Sequence, residues 1–208
     1  MARYINAVCR LCRREGEKLF LKGMKCSTEK CPIAKRSYPP GQHRSTRQKL
    51  SNYGLQLREK QKVKRIYGVL ERQFRRYFKI ASKSKGVTGK VLLQLLERRL
   101  DNVVFRLGFA VSRSQARQIV RHNFIYINSK RVNIPSCLIH TGDIIQIKLK
   151  ENAQKKIKEI MELTKDRTIP PWLELDSQEL KAKVARLPEK GDIQQLIQEQ
   201  LIVELYSK

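Results

Sequence analysis

The sequence predicts an α+β fold, in which a small metal-stabilised knuckle precedes basic helices and a compact module of short helices and antiparallel strands. Three patterns carry that expectation. Four of the five cysteines, Cys9, Cys12, Cys26 and Cys31, fall within 23 residues in the spacing C-x2-C-x13-C-x4-C. Between residues 51 and 107 apolar side chains recur at threes and fours, the period of helices with one buried face. Residues 124–148 instead hold short β-branched and aromatic runs broken by polar turns, as small strands do. Leu, Ile, Val and Phe number 59 of 208 residues, above the roughly 20% that marks a disordered chain at high charge.

Two closely spaced cysteine pairs across a loop can fold around one tetrahedral ion. Zinc is the first expectation and a four-cysteine iron–sulfur cluster the alternative, because thiolate ligands alone do not separate them. With all four positions filled by Cys there is no place for a catalytic water, so the ion would be structural, supplying much of the folding free energy of a segment with little core. Arg10, Arg13, Arg14, Lys25 and Lys30 surround the thiols and are expected to lower their pKa. One unpaired cysteine in a chain read as intracellular argues against disulfides. Cys137, in an apolar stretch, reads as a small packed residue.

The run Tyr38-Pro39-Pro40-Gly41-Gln42-His43-Arg44 cannot continue a helix and forms a basic connector. Ser51 is placed to cap a helix reaching about Tyr67 and ended by Gly68; it crowds together Arg58, Lys60, Lys62, Lys64 and Arg65. A second helix, about Glu71 to Ser82, has a buried stripe of Phe74, Phe78 and Ala81, with Arg72, Arg75, Arg76 and Lys79 on its other faces. Residues 51–90 hold few acids for i,i+4 pairing, so these cations are expected to meet phosphate.

Leu92, Leu96, Leu100, Val103 and Leu107 then mark one core helix or two abutting ones. Ser112 caps a short helix in which Arg113, Arg117 and Arg121 recur every four residues while Ala116, Ile119 and Val120 pack. Phe124 to Ile134 reads as two short strands, and Ile144 to Lys148 as a third. In the tail, Lys155 to Lys165 is an amphipathic helix, Pro170 to Leu175 is extended with Trp172 as a core anchor, and Leu201 to Tyr206 fits helix or strand.

Charge points to the partner. The 45 Lys and Arg residues against 19 Asp and Glu give a net charge of +26. Residues 1–150 hold 35 of the basic and 8 of the acidic groups, whereas residues 151–208 hold 10 and 11. Such a gradient directs the first three quarters of the chain at a polyanion and leaves the tail for protein contacts. The polyanion is nucleic acid rather than a membrane, since the basic half lacks a helix with a sustained apolar face. No run of 18 apolar residues and no apolar core near Met1 suggest a spanning helix or secretory signal. An enzyme would need a catalytic constellation, yet His43, His122 and His140 are the only histidines and no phosphate-loop, dinucleotide or nucleophile-elbow motif occurs. The chain is therefore read as no enzyme and as having no small-molecule substrate. A zinc-bearing DNA binder would show recognition-helix finger spacing, which this sequence does not.

At Arg99-Leu100-Asp101-Asn102-Val103-Val104-Phe105-Arg106-Leu107-Gly108-Phe109-Ala110, Ser112-Arg113-Ser114-Gln115-Ala116-Arg117-Gln118, Val132-Asn133-Ile134-Pro135-Ser136 and Gly142-Asp143, the sequence resembles the RNA-binding module of the bacterial small-subunit ribosomal protein S-four family. The opening Ala2-Arg3-Tyr4, the four cysteines, Tyr38-Pro39-Pro40-Gly41, Leu57-Arg58-Glu59-Lys60-Gln61-Lys62 and the closing Glu199 to Ser207 extend the resemblance end to end, to the four-cysteine, zinc-binding branch. The module of this family usually has Gly where Asn123 and Ser129 stand.

The resemblance implies a structural constituent of the small (30S) subunit that binds its ribosomal RNA (rRNA) early, grips a helical junction in the 5′ domain, nucleates assembly and contributes to translational accuracy. It implies contact with ribosomal protein S-five and with messenger RNA near the entry channel, in a cytoplasmic ribosome or, alternatively, an organellar one. It also implies that the module is inserted into the helical domain. The expected organisation is a zinc knuckle and basic linker (1–45), a helical rRNA-binding domain (46–98), the inserted module (99–165) and a C-terminal segment (166–208) that returns to the helical domain. One Zn2+ would sit on Cys9, Cys12, Cys26 and Cys31. The candidate RNA-binding residues are Arg3, Arg10, Arg13, Arg14, Lys22, Lys35, Arg36, Tyr38, His43, Arg44 and Arg47 in the first segment. In the second they are Arg58, Lys60, Lys62, Lys64, Arg65, Arg72 and Arg75, and in the module Arg113, Arg117, Arg121, His122, Lys130 and Arg131.

Overall fold

The computed structural model describes residues 4–42, 50–149, 151–193 and 197–207, without the side chains of residues 151–153. The chain divides into two compact units, Met1–Leu92 with Gln195–Lys208, and Leu93–Gln194. The second unit thus reaches well past the expected boundary at 165, because residues 173–184 supply two strands to its sheet.

In the first unit, α1 (Cys9–Glu15) stops at Gly16, whose φ of 76° lets its N–H turn back to the Cys12 carbonyl at 2.9 Å. A 3-10 turn (Gly23–Cys26) and the short α2 (Pro32–Lys35), with proline in its first turn, complete the cysteine segment. Helix α3 (Asn52–Ile66) begins where the Ser51 hydroxyl accepts from the Gly54 N–H at 3.1 Å. Helix α4 (Glu71–Lys83) buries Phe74, Tyr77 and Ala81. Phe78 is only half-buried, a correction to the expected stripe; its ring stacks 4.6 Å from that of Tyr206. Residues 201–206 are helical, within α9 (Glu199–Tyr206), which packs along α3. Ile202 of α9 is fully buried, as are Val63 and Ile66 of α3.

The apolar run 91–107 forms two helices, α5 (Thr88–Glu97) and α6 (Leu100–Arg106). They break at Arg98 and Arg99 because the backbone there pairs across the chain: the Leu100 N–H donates to the Cys137 carbonyl at 2.9 Å and the Ile139 N–H to that of Arg98 at 3.0 Å. Helix α7 (Arg113–Arg121) starts at Ser112, whose hydroxyl accepts from the Gln115 N–H. Then come β1 (Ile125–Ile127), β2 (Lys130–Arg131), β3 (Ile144–Ile147), α8 (Glu151–Leu163), β4 (Leu173–Asp176) and β5 (Lys181–Val184). The strands form one antiparallel sheet in the order β2-β1-β3-β5-β4.

Alternation gives that sheet two different faces. Ile125, Ile127, Ile145, Ile147, Ala182 and Val184 are buried and join Leu100, Val103, Val104, Phe109, Val120 and Trp172 in one core. Tyr126, Gln146 and Lys181, opposite one another in register, take the other face. The β1–β2 turn uses Asn128 (φ 49°) and Ser129 (φ 66°), a left-handed pair matched to a two-residue hairpin. Asn128 is held there by its own amide, which donates to Asp143 at 2.7 Å and accepts from the Ile144 N–H at 2.9 Å. Asn123 is left-handed as well, φ 65°. Both positions where the family usually has Gly therefore keep a glycine-type conformation.

Candidate nucleic-acid interface and cysteine pocket

Cys9, Cys12, Cys26 and Cys31 are all free thiols and line one pocket, closed by Val8, Leu21, Lys22, Lys25, Pro32 and Ile33. Cys12, Cys26 and Cys31 are buried. The Lys22 N–H points at the Cys26 sulfur, 3.3 Å away, a donor suited to a thiolate. As they stand, no three His, Cys, Asp or Glu side chains among the described residues form a group that could hold an ion. The chemistry of the donor set fits a four-thiolate ion, and the four residues converge on one pocket. One expectation needs correction: the Cys12 and Cys26 thiols are pushed up rather than down. Burial is the main cause, the other thiols add to it, and backbone N–H donors offset it in part; the nearby cations Arg10, Arg14, Lys25 and Lys30 are exposed, where solvent screens their charge.

The basic helices divide into cations spent inside the fold and cations left outside. On α3, Arg58 and Arg65 both donate to Glu15 of α1, the first at 3.2 Å. Lys60 and Lys64 reach Glu71 at 2.9 and 3.0 Å, and Lys62 reaches Glu59 at 2.9 Å. Lys60 and Lys62 are buried. Acids at i,i+4 are few here, as the sequence indicates, but most of these cations find partners on other elements, at longer sequence range. Burial lowers the Arg58 pKa, against the pull of Glu15. On α4 the arrangement is reversed, with Arg72, Arg75, Arg76 and Lys79 all exposed. From Arg72 to Leu96 there is no acid, and Lys83, Lys85 and Lys90 continue the exposed row.

In the module the run 99–106 is a buried polar network. Arg99 donates twice to Asp101, at 3.0 and 2.6 Å. Arg106 donates to Glu97 at 3.1 and 2.7 Å, and the Asn102 amide to the same carboxylate at 2.7 Å. Arg113 closes on Asn102 at 2.9 Å, with its guanidinium 4.4 Å from the centre of the Phe105 ring. The row of α7 is therefore not uniformly cationic toward solvent. Arg117 is buried on Asp101 at 3.1 Å, and burial lowers its pKa; Arg121 is exposed.

His122, Lys130 and Arg131 are exposed at the rim of the sheet. In the first unit Arg10, Arg14, Lys22, Lys35 and Arg36 lie at the surface, while Arg13 donates to the Tyr38 carbonyl at 3.0 Å and lies over the Tyr38 ring. Arg3, His43, Arg44 and Arg47 lie outside the described residues. Reasoning from charge passed over Phe124, whose ring stacks on that of His122, and Tyr126, over which the Lys148 ammonium lies; the period-2 alternation of β1 was the available signal. Among the described residues no helix is long and apolar enough to cross a membrane.

Two family descriptions match the chain. Residues 3–97 match "Ribosomal protein S4/S9 N-terminal domain" and residues 98–145 match "S4 domain". The chain is similar over all 208 residues, and over the full length of each relative, to proteins named small ribosomal subunit protein uS4. It is 60% identical to that of Thermodesulfovibrio yellowstonii and 61% to that of Caldicellulosiruptor saccharolyticus. To the protein named uS4A in Symbiobacterium thermophilum it is 58% identical.

Proposed function

Because the chain belongs to the ribosomal protein S4 family, we propose that it is a structural, non-enzymatic constituent of the small ribosomal subunit that binds small-subunit rRNA directly. Its likeness to relatives of that name over every residue carries the reading. The exposed cations of the cysteine segment, of α4 and of the module rim support it, since phosphate contacts of this kind fix a protein on folded RNA by displacing counterions. In this reading the protein recognises shape more than sequence, as a partner of A-form junctions must.

The finer proposal is that it grips a helical junction in the 5′ domain, nucleates assembly and contributes to translational accuracy. It would do so beside ribosomal protein S-five and near the messenger entry channel of a cytoplasmic ribosome. Cys9, Cys12, Cys26 and Cys31 would hold one zinc ion, with an iron–sulfur cluster the alternative. Either would supply a fixed cross-link of its segment and no reaction chemistry. Competition between small-subunit rRNA and duplex DNA at one salt concentration tests the central claim. The rRNA is expected to win by a wide margin, with the protein cosedimenting with small subunits; equal affinity for the two nucleic acids overturns it.

A further inference from the structure

The side chains that make the module cohere do not account for the rings at its rim. His122 and Phe124 stack on each other, centroids 6.0 Å apart with 23° between the planes, and both reach solvent. They are not a spill of the core, because the buried face of β1 is Ile125 and Ile127. Tyr126 follows Phe124 two residues on, and the Lys148 ammonium lies 4.9 Å from the Tyr126 ring centre. The Lys148 N–H donates to the Phe124 carbonyl at 3.1 Å, and Arg131 sits across from Tyr126 in the β1–β2 register. Aromatic rings and cations therefore lie together on the face of the sheet opposite the core, Tyr126 between Arg131 and Lys148.

The charge around them is one-sided. From Arg121 to Lys148 inclusive the sequence holds four Lys and Arg residues, all exposed, and a single acid, Asp143. That carboxylate already accepts from the Asn128 amide and the His140 N–H. A ring pair in such a setting suits a ligand that is planar, aromatic and linked to phosphate.

We propose that Phe124, with His122 behind it, is a stacking platform for one unpaired RNA base, whose flanking phosphates are met by Arg121, Lys148 and Arg131. The proposal rests on the rRNA-binding reading and adds to it a contact that phosphate recognition does not contain. Stacking is tolerant of base identity and does not depend on counterion release, so its loss has its own signature.

The test uses the full-length protein and transcribed small-subunit rRNA, with affinity measured over a range of salt. Phe124→Leu keeps apolar bulk and removes the ring. It is expected to weaken binding about tenfold, or about 1.4 kcal/mol, at every salt concentration, leaving the slope of log affinity against log salt unchanged. Phe124→Trp restores affinity, and its exposed indole is quenched on binding over the constant background of buried Trp172. Unchanged affinity in Phe124→Leu together with an unquenched indole overturns the platform while wild-type binding persists. So does a Phe124→Leu defect confined to binding a neighbouring ribosomal protein. Failure of the wild type itself to bind rRNA instead overturns the underlying reading.

Discussion

Arg117 of α7 donates to the Asp101 carboxylate of α6 at 3.1 Å inside the module, not outward to a ligand. Asp101 also takes both bonds from Arg99, so one carboxylate holds two guanidiniums, and the partners are not equivalent. Removing Asp101 takes away the one carboxylate to which both buried guanidiniums donate, whereas removing Arg117 leaves Asp101 paired with Arg99. Asp101→Ala is expected to cost about 3–5 kcal/mol and Arg117→Ala about 1.5–3 kcal/mol in urea unfolding. Arg121→Ala should leave unfolding unchanged and weaken rRNA binding.

The same division of labour predicts salt behaviour. Removing a cation that neutralises one phosphate should reduce the slope of log affinity against log salt by about 0.7–0.9. Arg72→Gln and Arg76→Gln, on the exposed face of α4, are expected to do this without lowering Tm. Lys60→Gln should lower Tm and leave the slope alone, since that ammonium is buried on Glu71. Titrations of rRNA binding at four or five salt concentrations separate the two classes.

Much of this was legible in the sequence. The Ser51 and Ser112 caps, the strand positions of Ile125 and Ile145 and the burial of Trp172 all followed from local rules that need no partner. What could not be read locally was which arginine faces which way. Arg117 and Arg121 share one spacing and one residue type, and only the position of Asp101, 16 residues upstream of Arg117, tells them apart. Lys60 and Lys64 likewise depend on Glu71 of the next helix. Strand β5 was missed because its four residues alternate Lys and small apolar side chains, a pattern too short to mark a strand until β3 and β4 flank it.

Glu71 gathers the charge of the first unit. Lys60, Lys64 and the Tyr206 hydroxyl all donate to it, the last at 2.8 Å. Burial raises its carboxyl, but these hydrogen bonds outweigh that and bring it from 4.5 to about 2. The Tyr206 phenol is pushed up correspondingly, by burial first and then by Glu71. A carboxyl lower in the folded than in the unfolded chain stabilises fully above the unfolded value and loses that contribution as pH falls toward the folded one. The stability advantage of the wild type over Glu71→Gln should therefore be constant above about pH 5 and shrink between there and about pH 2. A difference that stays flat across that window would refute the assignment; urea unfolding at each pH measures it.

Helix α9 crosses α5 where only glycine fits. A Cβ at Gly89 would lie 2.5 Å from Glu199 Cγ and 2.9 Å from its Cβ, and the second of these atoms cannot swing away. Gly89→Ala is expected to lower stability by about 1–3 kcal/mol through overpacking, despite the helix propensity gained. Gly191→Ala, where the added carbon meets nothing, is the control and should melt with the wild type.

The cysteine pocket yields the last prediction. Burial disfavours thiolates at Cys12 and Cys26 in the absence of a counter-charge, so an ion that binds there must displace protons, and its affinity must rise with pH. Protein purified without chelator is expected to carry about one equivalent of zinc by elemental analysis, with colourless solutions. Any one of Cys9, Cys12, Cys26 or Cys31 changed to Ser should lower the metal content, whereas Cys137→Ser, remote in sequence and packed against the core of the second unit, should not. Stripping the metal should lower the helix signal by the small share contributed by α1 and α2, which have little core of their own, and leave the α7 and sheet region folded by amide exchange. Iron with visible absorbance would favour the cluster, and neither metal would mean that residues 9–35 hold their shape by packing alone.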